Sequence, residues 1–316
     1  MSEPLKLRVV DIVSAAKDVL VLSLRHPDGS TLPSFTPGAH IDVHLPTGIV
    51  RQYSLCNDSR QCDQYQVGVS LAVASRGGSS YIHESLKVGD LVTVSAPRNN
   101  FPMNADAAKH VFFAGGIGIT PIYTMIQWCV ANDRPWHLYY LVRSRDRAAF
   151  LDALGAHAQN VTLHVDDEAG HVFDVRAAVA GLAASSHLYT CGPDPLMLAV
   201  EAAATDLPPA NVHFEWFVPK VFAKSACSTA FTVTLASSGV TLDVPPEKSI
   251  LEVLETNGIR VENSCREGTC ASCETRVISG VPEHRDSVLS DDEKSCNETM
   301  MVCVSRALSK NLVLDL

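Results

Sequence analysis

Cys265, Cys270 and Cys273 stand together in the segment CREGTCASC, and Cys303 follows after a gap of 29 residues. No other feature of this 316-residue chain restricts its fold as tightly. Three thiols within nine residues can converge only if the backbone wraps into a compact loop. The fourth must then be returned to that loop by a separate segment. Gly268 and the small residues Thr269, Ala271 and Ser272 let the backbone turn that sharply and approach closely.

The Cys-x4-Cys-x2-Cys spacing with a distant fourth cysteine is that of plant-type [2Fe–2S] ligation. Two irons need four thiolates, and the cluster sulfurs need backbone N–H groups aimed at them. Two other readings stand beside it, a tetrahedral zinc site and buried free thiols. Zinc sites usually pair two short Cys-x2-4-Cys knuckles, and this segment has one. Cys296 competes with Cys303 as fourth ligand. Cys303 is preferred because it follows the apolar Met300-Met301-Val302, which can anchor it, whereas Cys296 lies among charged residues. Cys56, Cys62, Cys129, Cys191, Cys227 and Cys296 are scattered, and each is expected to be a small buried apolar residue.

A chain of this length exceeds one ordinary core and predicts two or three domains. Apolar residues make up 46% and charged residues 19%, a globular balance. The N-terminal residues show no signal-peptide pattern, and no apolar run reaches the roughly 18 residues that span a bilayer. The expectation is a cytoplasmic protein without a membrane partner. Its net charge of −10 excludes nucleic acid as a general partner. Residues 231–316 hold 14 acidic and 8 basic side chains, so −6 of that charge lies there. Glu267 and the run Asp291, Asp292, Glu293 are expected to offer an acidic surface to an electron acceptor.

Residues 1–104 read as an antiparallel β-barrel. Ile41–Leu45 and Tyr65–Val73 alternate apolar and polar residues, and Gly/Pro/Asp turns separate the segments. Residues 105–222 read as α/β with a parallel sheet. The apolar runs VFFAGG, HLYYLVRS, VTLHVDD, HLYTCGP and VHFEWF alternate there with helix-like segments, among them PIYTMIQWCVAN, DRAAFLDALGAHA and DPLMLAVEAAA. Residues 223–230 form the expected linker. Residues 231–316 then combine a hairpin (FTVTL, VTLDV), a helix ending at Gly258 and the cysteine loop.

Two motifs sit where the α/β strands should end. GGIGITP, from Gly115 to Pro121, leads from a strand into a helix, where glycines and free N–H groups can receive a pyrophosphate. CGPDPLM, from Cys191, takes the same place after a later strand, so the two would line a cleft. Two more motifs precede them. RQYSL (Arg51 to Leu55) and SRGGSS (Ser75 to Ser80) together can form a phosphate cradle, with Tyr53 offering a planar ring or a hydroxyl. Read singly, each also fits an ordinary turn or strand.

Taken in this order, the four motifs make the chain resemble the ferredoxin–NADP reductase superfamily. The C-terminal cysteine segment narrows the resemblance to the phthalate dioxygenase reductase type. It covers essentially the whole chain and implies a β-grasp ferredoxin domain at the C-terminus. It implies FMN held by Arg51, Tyr53 and Ser54 and by Arg76, Gly77, Gly78 and Ser79. It implies NADH at Gly115, Gly116, Gly118, Thr120 and Pro121 and at Cys191, Gly192 and Pro193. Ser54 would meet the flavin and Cys191 would border the nicotinamide, with a Rieske-type terminal oxygenase as acceptor. From the residues themselves, Arg143 and Arg145 also leave a 2′-phosphate, and so NADPH, open. The rival functions are a stand-alone reductase of quinones or ferric chelates and a non-catalytic redox sensor.

Overall fold

The computed structural model describes residues 4–72, 75–219 and 229–316. Cys227 and most of the expected linker lie outside them. The chain divides into two compact units, Met1–Phe217 and Val218–Leu316.

The first unit begins with six antiparallel strands: β1 (Leu5–Ala16), β2 (Val19–Arg25), β3 (His40–His44), β4 (Val50–Ser54), β5 (Tyr65–Ser70) and β6 (Leu91–Val94). Their order is β4-β3-β6-β1-β2-β5, and a bridge between Leu55 and Val67 joins the two edges into a barrel. Closure leaves neither edge strand open. Leu7, Leu22, Ile41, Val67 and Val94 fill the interior. The strand expected to reach Val73 ends at Ser70, because the Leu71 amide turns to the Asp18 carbonyl in the β1–β2 turn. SRGGSS opens a short helix, α1 (Gly78–Glu84), with Gly77 in the left-handed region at φ +90°.

A five-stranded parallel sheet follows, built from β7 (Lys109–Gly115), β8 (Trp136–Val142), β9 (Val161–Val165), β10 (Ser186–Cys191) and β11 (Val212–Glu215). Its order is β11-β10-β7-β8-β9. Successive residues of β7 face opposite cores. Phe112 and Ala114 pack with α2 (Ile119–Ala131), while Val111 and Phe113 pack with α5 (Val175–Ala180) and α6 (Asp194–Ala203). Burial on both faces is why VFFAG reads as one apolar run rather than an alternation. The helix expected in DRAAFLDALGAHA shrinks to α3 (Leu151–Gly155). Phe150 takes φ +60° to stack on Tyr123 at 4.5 Å, and that conformation cannot continue a helix backwards. Asp166–Ala169 forms the short α4 after β9.

The second unit comprises β12 (Phe231–Leu235), β13 (Thr241–Val244), α7 (Ile250–Thr256), β14 (Glu274–Ser279), β15 (Pro282–Glu283), α8 (Asp291–Cys296), β16 (Thr299–Met301), β17 (Arg306–Ala307) and β18 (Asn311–Leu314). The main sheet runs β13-β12-β18-β14-β16, with β12 and β18 parallel and the other pairs antiparallel. Ile250, Leu251 and Leu254 of α7 pack into its core, and Ser249 and Glu252 close a reciprocal cap at the helix start. This is the β-grasp arrangement. Arg306, 5% exposed, donates to the carbonyls of Lys248, Thr229 and Pro245, tying the unit's first residues to the turn before α7. No helix among the described residues is long and apolar enough to cross a membrane.

At the N-terminal ends of the parallel strands, the buried His110 and His187 and the partly buried His213 share a network. His187 Nδ1 lies 3.0 Å from His213 Nε2, His213 stacks on Tyr189 at 4.3 Å, and His110 Nε2 meets the Asn104 carbonyl at 2.9 Å. Burial lowers all three, and His213 falls to about 4. Unfolding restores the ordinary value near 6.5, so the folded form resists protons that the unfolded form accepts. Stability is therefore complete above pH 6.5 and declines as pH falls from 6.5 towards 4. The slope is up to about 1.4 kcal/mol per pH unit for each proton taken up. All three tryptophans (Trp128, Trp136, Trp216) lie in the first unit, so tryptophan fluorescence during urea unfolding should report this loss. His213→Phe should flatten it.

Candidate functional site

Arg51 and Tyr53 stand on β4, paired with Val43 and Ile41 of β3. Behind this hairpin the buried Asp42 accepts two 2.8 Å hydrogen bonds from Arg98 and one of 3.1 Å from Gln52. The Arg51 side chain runs across the start of α1. Its Nη2 donates to the Arg76 carbonyl, and a Cβ on Gly78 would sit 2.7 Å from Arg51 Cγ. A larger residue at 78 would push the arginine side chain aside. Ser75 Oγ gathers the Gly77 and Ser80 amides and the Ser79 hydroxyl at 3.1–3.3 Å. The structure thus brings RQYSL and SRGGSS into one cradle of charge, amides and hydroxyls, which suits a phosphate. Burial lifts the Tyr53 phenol to about 12, so it stays neutral and can only hydrogen-bond or pack.

The β7 and β10 turns meet at the point where strand order reverses, with β8 and β9 on one side and β10 and β11 on the other. A Cβ on Gly118 would lie 2.1 Å from the Cys191 carbonyl oxygen, and one on Gly115 would lie 2.5 Å from Pro193 Cδ. Gly192 is equally confined, 2.9 Å from Gly115 Cα. Gly116 turns at φ +53° with open space around it, and α2 starts directly after Gly118. Thr120 donates to the Ile117 carbonyl at 3.0 Å and Pro121 sits in the first helical turn, where no N–H is missed.

A carboxylate that sequence reasoning missed links the two halves. Glu215 ends β11 as the direct partner of Cys191 on β10. Its Oε2 accepts from Ser54 Oγ at 3.3 Å and lies 4.0 Å from Cys191 Sγ. Burial raises Glu215 to about 8 and pushes the Cys191 thiol well above its usual value. At neutral pH the Glu215 carboxyl is largely protonated, and the two side chains hold protons beside Ser54. The signal available was a single acid inside the apolar run VHFEWF.

Arg145 donates to Glu168 through Nε and Nη2, both at 2.7 Å. Arg143 stays exposed, and Asp166 lies 3.3 Å from His164.

In the second unit, Cys270, Cys273 and Cys303 are buried and Cys265 is partly so. Cys265 is within hydrogen-bonding reach of Cys270 and Cys303, and Cys273 of Cys303. Hydrogen bonds from Cys270 and Cys303 lower the Cys265 thiol below its ordinary value. Arg266, Gly268 and Ala271 all have positive φ, which turns successive amides inward. The Glu267 and Thr269 N–H groups reach Cys265 Sγ at 3.3 and 3.5 Å. Such a concavity of N–H groups suits an anionic iron–sulfur centre. A Cβ on Gly268 would meet Val304 Cγ2 at 2.6 Å. Among the described residues, no three His, Cys, Asp or Glu side chains are grouped as a single ion requires. Two irons take two thiolates each, and the contacts Cys265–Cys270 and Cys273–Cys303 bring thiols together two by two.

Cys296 is exposed at the end of α8, and Cys62 is exposed too. Both depart from the expected burial, because each lies in a polar surface segment, whereas Cys56, Cys129 and Cys191 are buried. Glu293 caps α8 by accepting from the Ser290 amide and hydroxyl and is exposed. Asp291 and Asp292 remain exposed.

A family model described as an oxidoreductase FAD-binding domain matches residues 4–102, and one described as a 2Fe-2S iron-sulfur cluster binding domain matches residues 233–308. The phenoxybenzoate dioxygenase subunit beta of Ectopseudomonas oleovorans is 44% identical over 313 residues, covering 99% of this chain and 98% of that one. The tetrachlorobenzoquinone reductase of Sphingobium chlorophenolicum is also 44% identical, over 98% of this chain and 97% of its own. Among solved structures, phthalate dioxygenase reductase, titled a modular structure for electron transfer from pyridine nucleotides to [2Fe-2S], matches with a TM-score of 0.73. It is 40% identical over 99% of this chain and 98% of its own.

The two turns make a direct prediction. Gly118→Ala should lower stability to urea by about 1–3 kcal/mol, because the new methyl meets backbone that cannot give way. Gly155→Ala, where nothing lies within 4 Å, should be neutral or stabilising by at most about 1 kcal/mol.

Proposed function

This chain belongs to the phthalate dioxygenase reductase family of flavin and iron–sulfur oxidoreductases, and on that premise we propose that it is the NADH-dependent reductase of a Rieske-type oxygenase or O-demethylase acting on an aromatic acid or ether. The observation that carries the reading is the Ser54–Glu215–Cys191 contact, which sets the end of the flavin-side strand against the turn of the nucleotide-side sheet.

Bound FMN would take an electron pair from NADH and release electrons singly to a [2Fe–2S] cluster, since a nicotinamide gives up two electrons together and the cluster takes one. The residues have correspondingly modest tasks. Arg51, Arg76, Gly77, Gly78 and Ser79 hold the flavin phosphate, while Tyr53 and Ser54 line its ring. Gly115, Gly116, Gly118, Thr120 and Pro121 receive the dinucleotide with Gly192 and Pro193, and Cys191 borders the nicotinamide. Glu215 and Cys191 keep their protons beside Ser54 without acting as strong acid or base. Cys265, Cys270, Cys273 and Cys303 supply the thiolates. The domains implied are 1–104 for flavin, 105–222 for nucleotide, 223–230 as linker and 231–316 for the cluster, in a cytoplasmic protein whose thiols stay reduced.

NADH is favoured over NADPH by the ion pair at the ends of β8 and β9. Glu168 takes the Nε–Nη2 edge of Arg145, and Asp166 and Asp167 add negative charge where a 2′-phosphate would enter. FMN is a narrower choice than the FAD in the family description and rests on the resemblance to the phthalate dioxygenase reductase type. A second reading, reduction of quinones directly from the flavin, is favoured by the quinone reductase relative.

The purified protein should hold one flavin and one [2Fe–2S] cluster per chain, with FMN released on heating. Recovery of FAD alone would overturn the flavin assignment. NADH should reduce the flavin far better than NADPH. Glu168→Gln should narrow that preference by about tenfold, the worth of one charge-assisted hydrogen bond.

A further inference from the structure

Helix α2 begins one residue after Gly118, so its start is set by the nucleotide-side turn. The chain leaving β4 enters residues 55–57 directly after Ser54. These two segments are joined by side chains of α2. Thr124 Oγ1 donates to the Leu55 carbonyl at 2.7 Å and lies 3.3 Å from the Asn57 carbonyl. Gln127 Nε2 donates to the Cys56 carbonyl at 3.0 Å. Leu55 is 0%, Asn57 2% and Thr124 1% exposed, so water cannot replace the threonine.

A threonine within a helix usually turns its hydroxyl to a carbonyl of its own preceding turn. Thr120 does so, donating to Ile117. Thr124 instead spends its one proton on the barrel. The helix would form as well with an apolar residue there, so the hydroxyl serves the junction. The tie lies next to Ser54 on one side and about 7.5 Å along the helix from its start on the other. Gly68 of β5 reinforces it, since a Cβ there would sit 2.6 Å from Thr120 Cγ2.

We propose that Thr124 is a positioning residue for hydride transfer, setting the distance between the flavin-side strand and the nucleotide-side turn. The inference rests on the function proposed above. Transfer requires the reacting atoms to approach within about 3–3.5 Å, and a displacement of about 1 Å can cost a hundredfold in rate. A residue that touches neither cofactor but fixes the separation of their binding elements therefore acts on the rate of transfer rather than on affinity.

The test compares holo wild type, Thr124→Val and Thr124→Ser. Thr124→Val should slow flavin reduction at saturating NADH by about tenfold or more, with NADH affinity near wild type. Hydrogen exchange at the amides of residues 55–57 should quicken in the same variant. Thr124→Ser, which keeps the hydroxyl, should restore both. A wild-type reduction rate in Thr124→Val, unchanged exchange at residues 55–57, or failure of serine to restore the rate would overturn the proposal. If Thr124→Val fails to retain flavin, Gln127→Leu must show a smaller loss of the same kind, and a wild-type rate there would also overturn it. Failure of NADH to reduce the flavin of wild-type protein would instead sink the proposed function itself.

Discussion

The first unit depends on backbone-to-backbone contact between two strand ends. Gly118 lies so close to the Cys191 carbonyl, and Gly115 to Gly192 and Pro193, that any side chain would part the β7 and β10 turns. With the turns in contact, the start of α2 and the Cys191 turn stand side by side at the switch point of the parallel sheet. Sheet register then supplies the rest. Cys191 ends β10, its partner on β11 is Glu215, and that carboxyl reaches Ser54 on the barrel. Three groups far apart in sequence are assembled by two parallel strands and one closed barrel.

The second unit solves a different problem. Its loop carries left-handed Arg266 and Ala271, conformations that cost about 1–3 kcal/mol each for non-glycine residues and persist only where surroundings enforce them. Here the surroundings are the α7 core on one side and the residue 286–288 segment on the other, with the Ser287 amide bonded to the Gly268 carbonyl. The strain turns amides towards sulfur, as an electron-rich centre requires. The division of labour matches electron counting: a flavin accepts electrons in pairs, and a [2Fe–2S] cluster passes them singly.

Much of this was legible in the chain. The cysteine spacing marked the loop, and Cys303 is buried within reach of Cys265 and Cys273, while Cys296 is exposed. GGIGITP and CGP each marked a strand end, because glycine and proline at such points leave few other conformations. What stayed hidden depended on tertiary contact. Glu215 gains its neighbour Ser54 only when strands 161 residues apart are brought together, and no local pattern encodes that meeting. The stacking of Phe150 on Tyr123 cut short a segment whose composition favours helix. Two arginines that read alike in sequence also parted. Arg145 is held by Glu168 on a neighbouring strand end, while Arg143 stays exposed.

The central claim is that electrons enter as pairs at the cleft and leave singly through the four-cysteine loop. Its most direct test is Cys303→Ser, assayed with NADH against a small two-electron dye and against cytochrome c as a one-electron protein acceptor. The account predicts dye reduction close to wild type and cytochrome c reduction nearly abolished. Cytochrome c reduction at the full rate in this variant, or loss of dye reduction with the flavin still bound, would contradict it.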